Sequence, residues 1–254
     1  MGYSLIDTAA HYDSEAAVGA ALVEAKKQGL GQPRYVTKIW FDDLGYSNAI
    51  SAAERSMASL QTECLDILLI HFPGSVDAVQ SPSKNRKLRE DTWRALETLQ
   101  ADGRCRTIGV SNWTRRHLKE TLATCQVKPQ ILQTELHPRL PQVELIDYAR
   151  EHGIRDIMAH CPLAHGSPNL LNSPVLKQLA DERGNGCSPA QLCLRWSIDH
   201  GFIPIPKASS ERRLQENLAA AALSPLTPAE LRAIDALESF SADARVSFDP
   251  ALIA

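Results

Sequence analysis

Short apolar runs alternate along the chain with longer segments in which apolar residues recur every three or four positions. The short runs are rich in isoleucine, leucine and valine, and they lie at residues 4–7, 35–38, 67–71, 108–111, 131–135, 156–160 and 202–205. The clearest segments with helical periodicity are 47–61, 91–100, 115–125, 142–151 and 189–200. Strands that alternate with helices predict a parallel sheet connected by right-handed crossovers.

Two parallel architectures fit this alternation, the open doubly wound sheet and the (β/α)8 barrel. The chain contains neither G-x-G-x-x-G nor G-x-x-x-x-G-K-[ST], the phosphate loops common in open sheets. Polar side chains follow almost every strand at its carboxyl end, where a barrel builds its active site. They are Asp7, Lys38, His71, Ser111, Asn112, Gln133, Glu135, His160 and Lys207. We therefore predict an α/β fold of the (β/α)8 TIM-barrel type, with seven strands visible and the first one missing.

The length of 254 residues fits one barrel domain over 1–254, with a carboxy-terminal tail at 239–254. Residues 228–238 are predicted to form the last helix, with Thr227 and Glu230 spaced as a capping box. Residues 74–87 are polar and lack periodicity, which predicts a long loop after the strand that ends at His71.

Composition points to a small-molecule ligand. A net charge of −3 gives no electrostatic reason to expect a nucleic acid or an anionic membrane as partner. The six cysteines form no C-x-x-C pair and no zinc-site spacing, which is typical of reduced thiols in a cytoplasmic protein. Neither a secretion signal nor an apolar run of transmembrane length is visible, so we expect a cytoplasmic protein.

Four titratable residues at neighbouring strand ends suggest acid–base chemistry. Tyr12 is a poor acid by itself, with an ordinary pKa of about 10, but a nearby ammonium such as Lys38 favours its deprotonated form. A buried ammonium needs a carboxylate, which Asp7 supplies. Neutral His71 can orient a carbonyl oxygen while Tyr12 delivers a proton.

Each of the four also has an ordinary structural interpretation: Asp7 as a cap, Tyr12 as a half-buried aromatic, Lys38 as a surface cation and His71 as a core histidine. Four such groups together are harder to explain by structure alone, because barrel positions of this kind otherwise prefer apolar residues.

A metal-dependent hydrolase that uses histidines is a further interpretation. Its candidate ligands would be His11, His71, His137 and His160. The carboxylate-rich ligand set and spacing of such sites are lacking, and no metal is predicted.

Six stretches of the chain resemble, in order, the signatures of the aldo-keto reductases. They are GYSLIDTAAHYDSE, YVTKIW, LDILLIHFP, IGVSNW, ILQTELHP and IPIPKASSERRLQENL. The resemblance implies an NADPH-dependent reductase of aldehydes and ketones. In it Asp7, Tyr12, Lys38 and His71 form the catalytic tetrad, with Tyr12 as proton donor, His71 orienting the carbonyl, and Lys38 with Asp7 tuning Tyr12.

The same resemblance assigns cofactor and substrate contacts. Ser111, Asn112 and Gln133 match residues that hold the nicotinamide carboxamide. The stretch His160-Cys161-Pro162-Leu163 matches the motif whose aromatic residue stacks on nicotinamide. The family segment that binds the 2′-phosphate and adenine of the cofactor is matched by Lys207, Ala208, Ser209, Arg213, Glu216 and Asn217. Two cations there suit a phosphate monoester, which favours NADPH over NADH. Trp40, Phe72 and Trp113 match positions near the substrate, although a strand-end tryptophan is also an ordinary core residue.

The chain departs from the family pattern at several positions. His160 offers a smaller stacking face than the usual aromatic residue, Ala208 replaces a common serine, and Phe72 stands where tryptophan is frequent. We therefore expect weaker cofactor binding. The tail resembles the family's substrate loop only weakly, so it does not indicate a substrate.

Family members also carry a strand and helix, and usually a hairpin, ahead of the segment that matches residues 2–9. Without that strand, the strands at 4–7 and 202–205 would each have one unpaired edge, which predicts reduced stability or self-association. A truncated isoform, a gene prediction that starts late, and a barrel closed across a subunit interface all remain open, as do a monomer and a homo-oligomer formed through strand edges. A non-catalytic relative that binds nucleotide, as a sensor or regulatory subunit, is the alternative function.

Overall fold

The strands predicted from the sequence are all present. The computed structural model describes residues 1–75, 81–238 and 243–253, and in that part of the chain seven strands occur. They are β1 (Leu5–Asp7), β2 (Arg34–Ile39), β3 (Leu65–Ile70), β4 (Cys105–Ser111), β5 (Ile131–Glu135), β6 (Asp156–His160) and β7 (Ile203–Ile205). They form one sheet in which the spatial order follows the sequence, from β1 to β7. The pairs β1–β2, β2–β3, β3–β4 and β6–β7 are parallel, as the alternation with helices predicts.

The helices between the strands also agree with the apolar periodicity. They are α1 (Glu15–Lys27), α2 (Tyr46–Leu60), α3 (Pro82–Ala101), α4 (Arg115–Thr124), α5 (Val143–Glu151), α6 (Pro168–Leu171), α7 (Pro174–Arg183), α8 (Pro189–Asp199), α9 (Glu211–Ala219) and α10 (Pro228–Asp235). None of them is long and apolar enough to cross a membrane, a finding limited to the described ranges.

The loop predicted at 74–87 is wrong over its second part, because α3 already begins at Pro82. Proline is tolerated in the first helical turn, where its missing N–H would have no partner. The next two turns are charged, and they are stabilised by ion pairs one turn apart, Arg86 with Glu90 and Lys87 with Asp91. Apolar periodicity cannot detect a helix start of this kind. Residues 76–80 of the predicted loop lie outside the described residues.

Side-chain caps fix where several helices begin. The predicted capping box of α10 is confirmed: Thr227 accepts from the backbone N–H of Glu230, whose carboxylate accepts from the N–H of Thr227. Ser188 and Gln191 form the same arrangement at the start of α8. Helix α10 ends at Asp235, three residues before the predicted end at 238.

The described residues group into two compact units. The amino-terminal unit comprises 2–75, 81–132, 147–155 and 250–253, and the carboxy-terminal unit comprises residue 1, 133–146, 156–238 and 243–249. The predicted single domain over 1–254 stays a prediction. Of the predicted tail, residues 239–242 and 254 lie outside the described residues.

The core of the amino-terminal unit lies on both faces of β2, β3 and β4, which are almost fully buried. Gly109 on β4 is required by close packing, because a Cβ atom there would lie 2.6 Å from the carbonyl oxygen of Ile131. Gly19 on α1 is also required by close packing, since a Cβ atom there would lie 2.7 Å from the backbone of Leu60 at the end of α2. The second of these contacts lets α1 pack closely against the end of α2.

The carboxy-terminal unit packs α8 against β7 and α7. Trp196 of α8 is buried, and its indole N–H donates to Asp235 at 2.7 Å. Arg183 of α7 forms a bidentate ion pair with Glu230 of α10. This pair lowers the pKa of Glu230 to about 2, mainly through the Arg183 hydrogen bonds.

Candidate active site

The polar ends of β1, β2 and β3 lie side by side because these strands are parallel and in register. Asp7 of β1 is paired with Val36 of β2, and Lys38 of β2 is paired with Leu69 of β3. His71 follows β3 directly, and Tyr12 ends a short 3₁₀ turn after β1. The structure thus brings together all four residues that the sequence predicts to be catalytic.

Lys38 and Asp7 form a buried ion pair. The ammonium Nζ lies 2.7 Å from Asp7 Oδ2 and also donates to the carbonyl oxygen of Thr8 at 2.9 Å. The side chain of Lys38 is 0% exposed and that of Asp7 is 11% exposed. Burial lowers the pKa of Lys38, and the neighbouring carboxylate partly opposes that shift. The ammonium is therefore held at the strand ends by one carboxylate and one carbonyl oxygen.

Tyr12 forms the exposed side of this cluster and contacts His71 behind it. The phenolic oxygen lies 3.3 Å from His71 Nε2, within hydrogen-bond distance. Lys38 Nζ lies 4.9 Å from the centre of the Tyr12 ring, which is a cation–π distance. Tyr12 is 47% exposed, whereas His71 is buried. A ligand can reach the hydroxyl group while the residues behind it stay shielded from water.

Aromatic side chains surround His71. Trp40, half-buried after β2, contacts His71 with ring centres 4.9 Å apart and Phe72 with centres 5.9 Å apart. His11 stacks flat on Trp40, with ring centres 3.7 Å apart and planes 1° from parallel. Two of the three predicted pocket residues, Trp40 and Phe72, therefore line one side of the Tyr12–His71 pair.

Trp113, the third predicted pocket residue, is not brought into this cluster by any described ring contact. It is buried, and its indole N–H donates to Thr121 of α4 at 3.1 Å. Its ring contacts His117 on the same helix. This hydrogen-bonded core position is the ordinary alternative for a strand-end tryptophan, and a substrate contact by Trp113 stays a prediction.

Ser111 and Asn112 lie buried at the end of β4. Asn112 has a positive φ of 63°, a conformation that asparagine tolerates better than most residues. Its side-chain amide donates to the carbonyl oxygen of His71 at 3.0 Å and to Ser111 Oγ at 3.2 Å. Asn112 therefore connects the end of β4 to the histidine of the candidate site.

In the carboxy-terminal unit, the predicted nicotinamide residues lie at the ends of β5 and β6. Gln133 is buried, and its amide nitrogen lies 3.8 Å from Met158 Sδ.

His160 Nδ1 lies 3.3 Å from Cys161 Sγ, which in turn lies 3.4 Å from His165 Nε2. Burial raises the pKa of the Cys161 thiol to about 12, with a smaller contribution from the charge of Glu135. Cys161 is therefore a neutral thiol at physiological pH. Leu163, the last member of this stretch, is half-buried.

The segment predicted to bind the 2′-phosphate joins β7 to the start of α9. Lys207, Ser209 and Arg213 are exposed, while Ala208 and Asn217 are half-buried. Ser210 caps α9 by accepting the N–H of Arg213 at 3.4 Å. Glu216 has structural partners already, because its carboxylate accepts from Ser188 at 2.7 Å.

The residues present fit a phosphorylated nicotinamide cofactor. Across the described ranges neither Lys207 nor Arg213 is in an ion pair, so both cations remain available beside the amino-terminal end of a nine-residue helix. Helix amino termini and unpaired cations are favourable surroundings for a phosphate ester. Ser111 in the amino-terminal unit and Gln133 in the carboxy-terminal unit each offer a buried polar group of the kind that suits a carboxamide. A search of the described residues finds no group of three or more histidine, cysteine or acidic side chains that could hold a metal ion.

Comparison with known proteins identifies the class. The sequence model of the Aldo/keto reductase family matches residues 1–239. Glyoxal reductase of Bacillus subtilis (strain 168) is 42% identical over 218 residues, covering 85% of this chain and 72% of that protein. A Bombyx mori aldo-keto reductase solved in complex with NADP has a TM-score of 0.85 at 30% identity, covering 97% of this chain and 81% of its own. The chain belongs to the aldo/keto reductase family.

A mutant of the protein Gox0644, solved in complex with NADPH, also has a TM-score of 0.85, at 31% identity, and covers 98% of this chain and 84% of its own. The predicted (β/α)8 fold class is confirmed by these neighbours, with seven strands in the described part of this chain. Family membership supports carbonyl reduction by an oxidoreductase as the class of chemistry.

Sequence reasoning missed two contributors to the site. The carbonyl oxygen of Thr8, which accepts from Lys38, carries no side-chain signal at all. From the sequence His11 is only a candidate metal ligand, yet the 3₁₀ turn that presents Tyr12 also stacks the His11 ring on Trp40. Its position immediately before Tyr12 was the one available signal.

Proposed function

We propose that this protein is an NADPH-dependent reductase that converts aldehydes or ketones into alcohols, with Tyr12 as the proton donor. The observation that carries the proposal is the arrangement of Tyr12 OH, His71 Nε2 and the Lys38–Asp7 ion pair in one cluster with an exposed phenol. This arrangement combines a proton donor, a carbonyl-orienting group and a source of positive charge. Family membership supports the same chemistry.

Tyr12 and His71 are the groups that receive the carbonyl oxygen in this proposal. Their hydrogen-bonding atoms are 3.3 Å apart, so one oxygen atom can accept from the phenol and from the imidazole N–H. Both contacts strengthen as negative charge develops on the oxygen, which lowers the barrier. The rings of Trp40 and Phe72 exclude water from one side of His71.

Lys38 and Asp7 act behind Tyr12. When the phenol gives up its proton, the Lys38 ammonium stabilises the negative charge left on the tyrosine. Asp7 holds that ammonium in place, because a buried cation without a carboxylate would be strongly unfavourable. Neither group touches the carbonyl in this scheme, and both act through Tyr12.

NADPH, held by the residues named next, would supply a hydride for the carbonyl carbon. We assign the carboxamide contacts to Ser111, Asn112 and Gln133, and the stacking position to the stretch 160–163. We assign the 2′-phosphate and adenine to the segment from Lys207 to Asn217. The two available cations, Lys207 and Arg213, support NADPH over NADH. A cytoplasmic location is the expected setting, supported by free cysteines throughout the described chain.

The direct test is carbonyl-dependent NADPH oxidation, followed at 340 nm, on a panel of aldehydes and ketones that begins with glyoxal. Glyoxal comes first because a relative 42% identical is a glyoxal reductase. We expect Tyr12→Phe to lower kcat by roughly 10²–10⁴-fold, the usual contribution of a positioned acid. Tyr46→Phe is the matched control, since it removes a phenol that bonds Thr98 on α3.

The proposal would be overturned if the folded wild-type protein showed no NADPH oxidation in the presence of any carbonyl on the panel. Nucleotide binding without turnover would instead support the non-catalytic relative, a sensor or regulatory subunit. Oligomeric state, measured in the same preparation by light scattering, would distinguish the monomer from the homo-oligomer formed through strand edges.

A further inference from the structure

A buried carboxylate at the end of β5 collects hydrogen bonds from a distant part of the chain. Glu135 is 0% exposed. It accepts the backbone N–H groups of Val246 at 2.7 Å and of Ser247 at 3.0 Å. The hydroxyl of Ser247 donates to the same carboxylate. His137 Nε2 lies 3.0 Å from Oε1 and carries the proton of that contact, because a carboxylate can only accept.

We call residues 243–249, the segment that contains the donors Val246 and Ser247, the strap. Besides Glu135, it contacts the loop after β5 and the helix α6 of the same unit. Arg245 donates to Gln142 at 3.2 Å, and Gln142 in turn donates to the carbonyl oxygen of Glu135 at 2.6 Å. Asp243 accepts from Arg139 at 3.2 Å and from Asn169 at 2.9 Å. The strap therefore connects the end of β5 with the loop that follows β5 and with α6.

The charge of Glu135 is locked in place by these donors. Burial alone would raise the pKa of this carboxyl. The hydrogen bonds from His137, Ser247 and the backbone N–H of Val246 outweigh burial and lower its pKa to about 2. The group is ionised throughout the physiological range. A buried carboxylate deprived of these donors would be strongly unfavourable, so the strap is held firmly.

Glu135 lies close to a predicted cofactor residue. Gln133 is two positions earlier on β5, so both side chains lie on the same face of the strand, and both are buried. The end of β5 is also joined to the end of β6, because the N–H of Leu136 donates to the carbonyl oxygen of His160 at 3.2 Å. A constraint on Glu135 therefore acts on the two strand ends that carry Gln133 and His160.

We propose that Glu135 is a positioning residue for the nicotinamide end of the cofactor, because its attachment to the strap fixes the strand end that presents Gln133. The inference rests on the NADPH binding of the proposed function. The strap itself lies beyond residue 239, where the family match ends. Glu135 touches neither cofactor nor substrate in this scheme.

The test compares two ligands with Glu135→Gln, which keeps the side-chain size and removes the charge. NADPH carries the nicotinamide, whereas adenosine 2′,5′-bisphosphate carries only the adenosine end with its 2′-phosphate. We expect the variant to bind NADPH about 10-fold more weakly, and adenosine 2′,5′-bisphosphate with unchanged affinity, by calorimetry. Hydrogen exchange of a peptide covering 243–249 should be accelerated by at least about 10-fold.

Glu230→Gln is the matched control, because it removes another carboxylate of the same unit with a strongly lowered pKa but without contact to the strap. It should change neither the NADPH affinity nor the exchange of 243–249. Where Glu135→Gln does not fold, Ser247→Ala removes a single hydroxyl donor and should weaken NADPH binding in the same direction by a smaller factor.

Equal weakening of both ligands by Glu135→Gln would overturn the inference, since it would indicate general damage to the unit. Unchanged NADPH affinity despite a loosened strap would overturn it too, as would wild-type protein that fails to bind NADPH. None of these readouts needs turnover. A wild type that binds NADPH but reduces no carbonyl would therefore contradict the proposed reduction and still test Glu135.

Discussion

Lys38 and Glu135 are both buried charges at the ends of strands, but their surroundings act on them in opposite ways. Lys38 has one carboxylate and one carbonyl oxygen as partners, and burial lowers its pKa, which disfavours its charged form. Glu135 has several N–H and O–H donors, which lower its pKa and favour its charged form. The hydrogen-bond partners therefore decide whether the charged form of a buried group is disfavoured or stabilised. We call a charge of the first kind responsive and one of the second kind locked.

This difference matches the two proposed roles. The Lys38 cluster borders an exposed phenol, where a change of charge during reaction has to be accommodated. The Glu135 cluster is closed by backbone N–H groups, by His137 and by the Ser247 hydroxyl, and the Arg245 guanidinium lies 3.6 Å from its carboxylate. A responsive charge suits catalysis, and a locked charge suits positioning.

The largest expected effect is that of Lys38→Met, which removes the responsive charge while keeping an unbranched side chain. Without the ammonium, the charge that develops on Tyr12 loses its stabilisation, and kcat should fall by roughly 10²–10⁴-fold. Steady-state NADPH oxidation at saturating carbonyl measures the loss. Lys38→Arg is the control, because it restores a positive charge near Asp7 and should recover part of the activity. A Lys38→Met variant with nearly full activity would contradict the role of this ion pair.

The locked charge should be visible in the pH dependence of stability. The pKa of Glu135 lies at about 2 in the folded protein against an ordinary 4.5, so its contribution is complete above the unfolded value and is lost as pH falls toward 2. The difference in unfolding free energy between wild type and Glu135→Gln should shrink by up to about 3 kcal/mol between pH 5 and pH 2. Urea unfolding at several pH values measures it.

Glu151→Gln is the control for that series, because Glu151 is an exposed residue at the end of α5. Only a pH dependence larger than that of this variant is ascribed to the donors around Glu135. If the two variants showed the same pH dependence, the donors around Glu135 would not be holding its charge.

The same contrast explains how much could be predicted from the sequence. Runs of β-branched and leucine residues located all seven strands, because buried parallel strands are apolar on both faces. The Tyr12 cluster was predictable because parallel strands bring their carboxyl ends together. The attachment of Glu135 to Val246 was not predictable, because 111 residues separate the partners and the donors are backbone groups. The burial of Trp113 depends likewise on a partner, Thr121, that no spacing rule indicates.

The smallest expected effect concerns His11, which extends the responsive cluster through its flat contact with Trp40. His11→Ala removes one aromatic contact worth about 0.5–1.5 kcal/mol, so Trp40 should become less firmly held beside His71 and kcat/KM should fall by roughly 2–10-fold. His152→Ala is the matched control, since it removes a similar contact, with Tyr148 on α5. Loss of the same size in both variants would show that ring contacts of this kind act on stability alone. A loss confined to His11→Ala would extend the catalytic cluster to the side chain that precedes Tyr12.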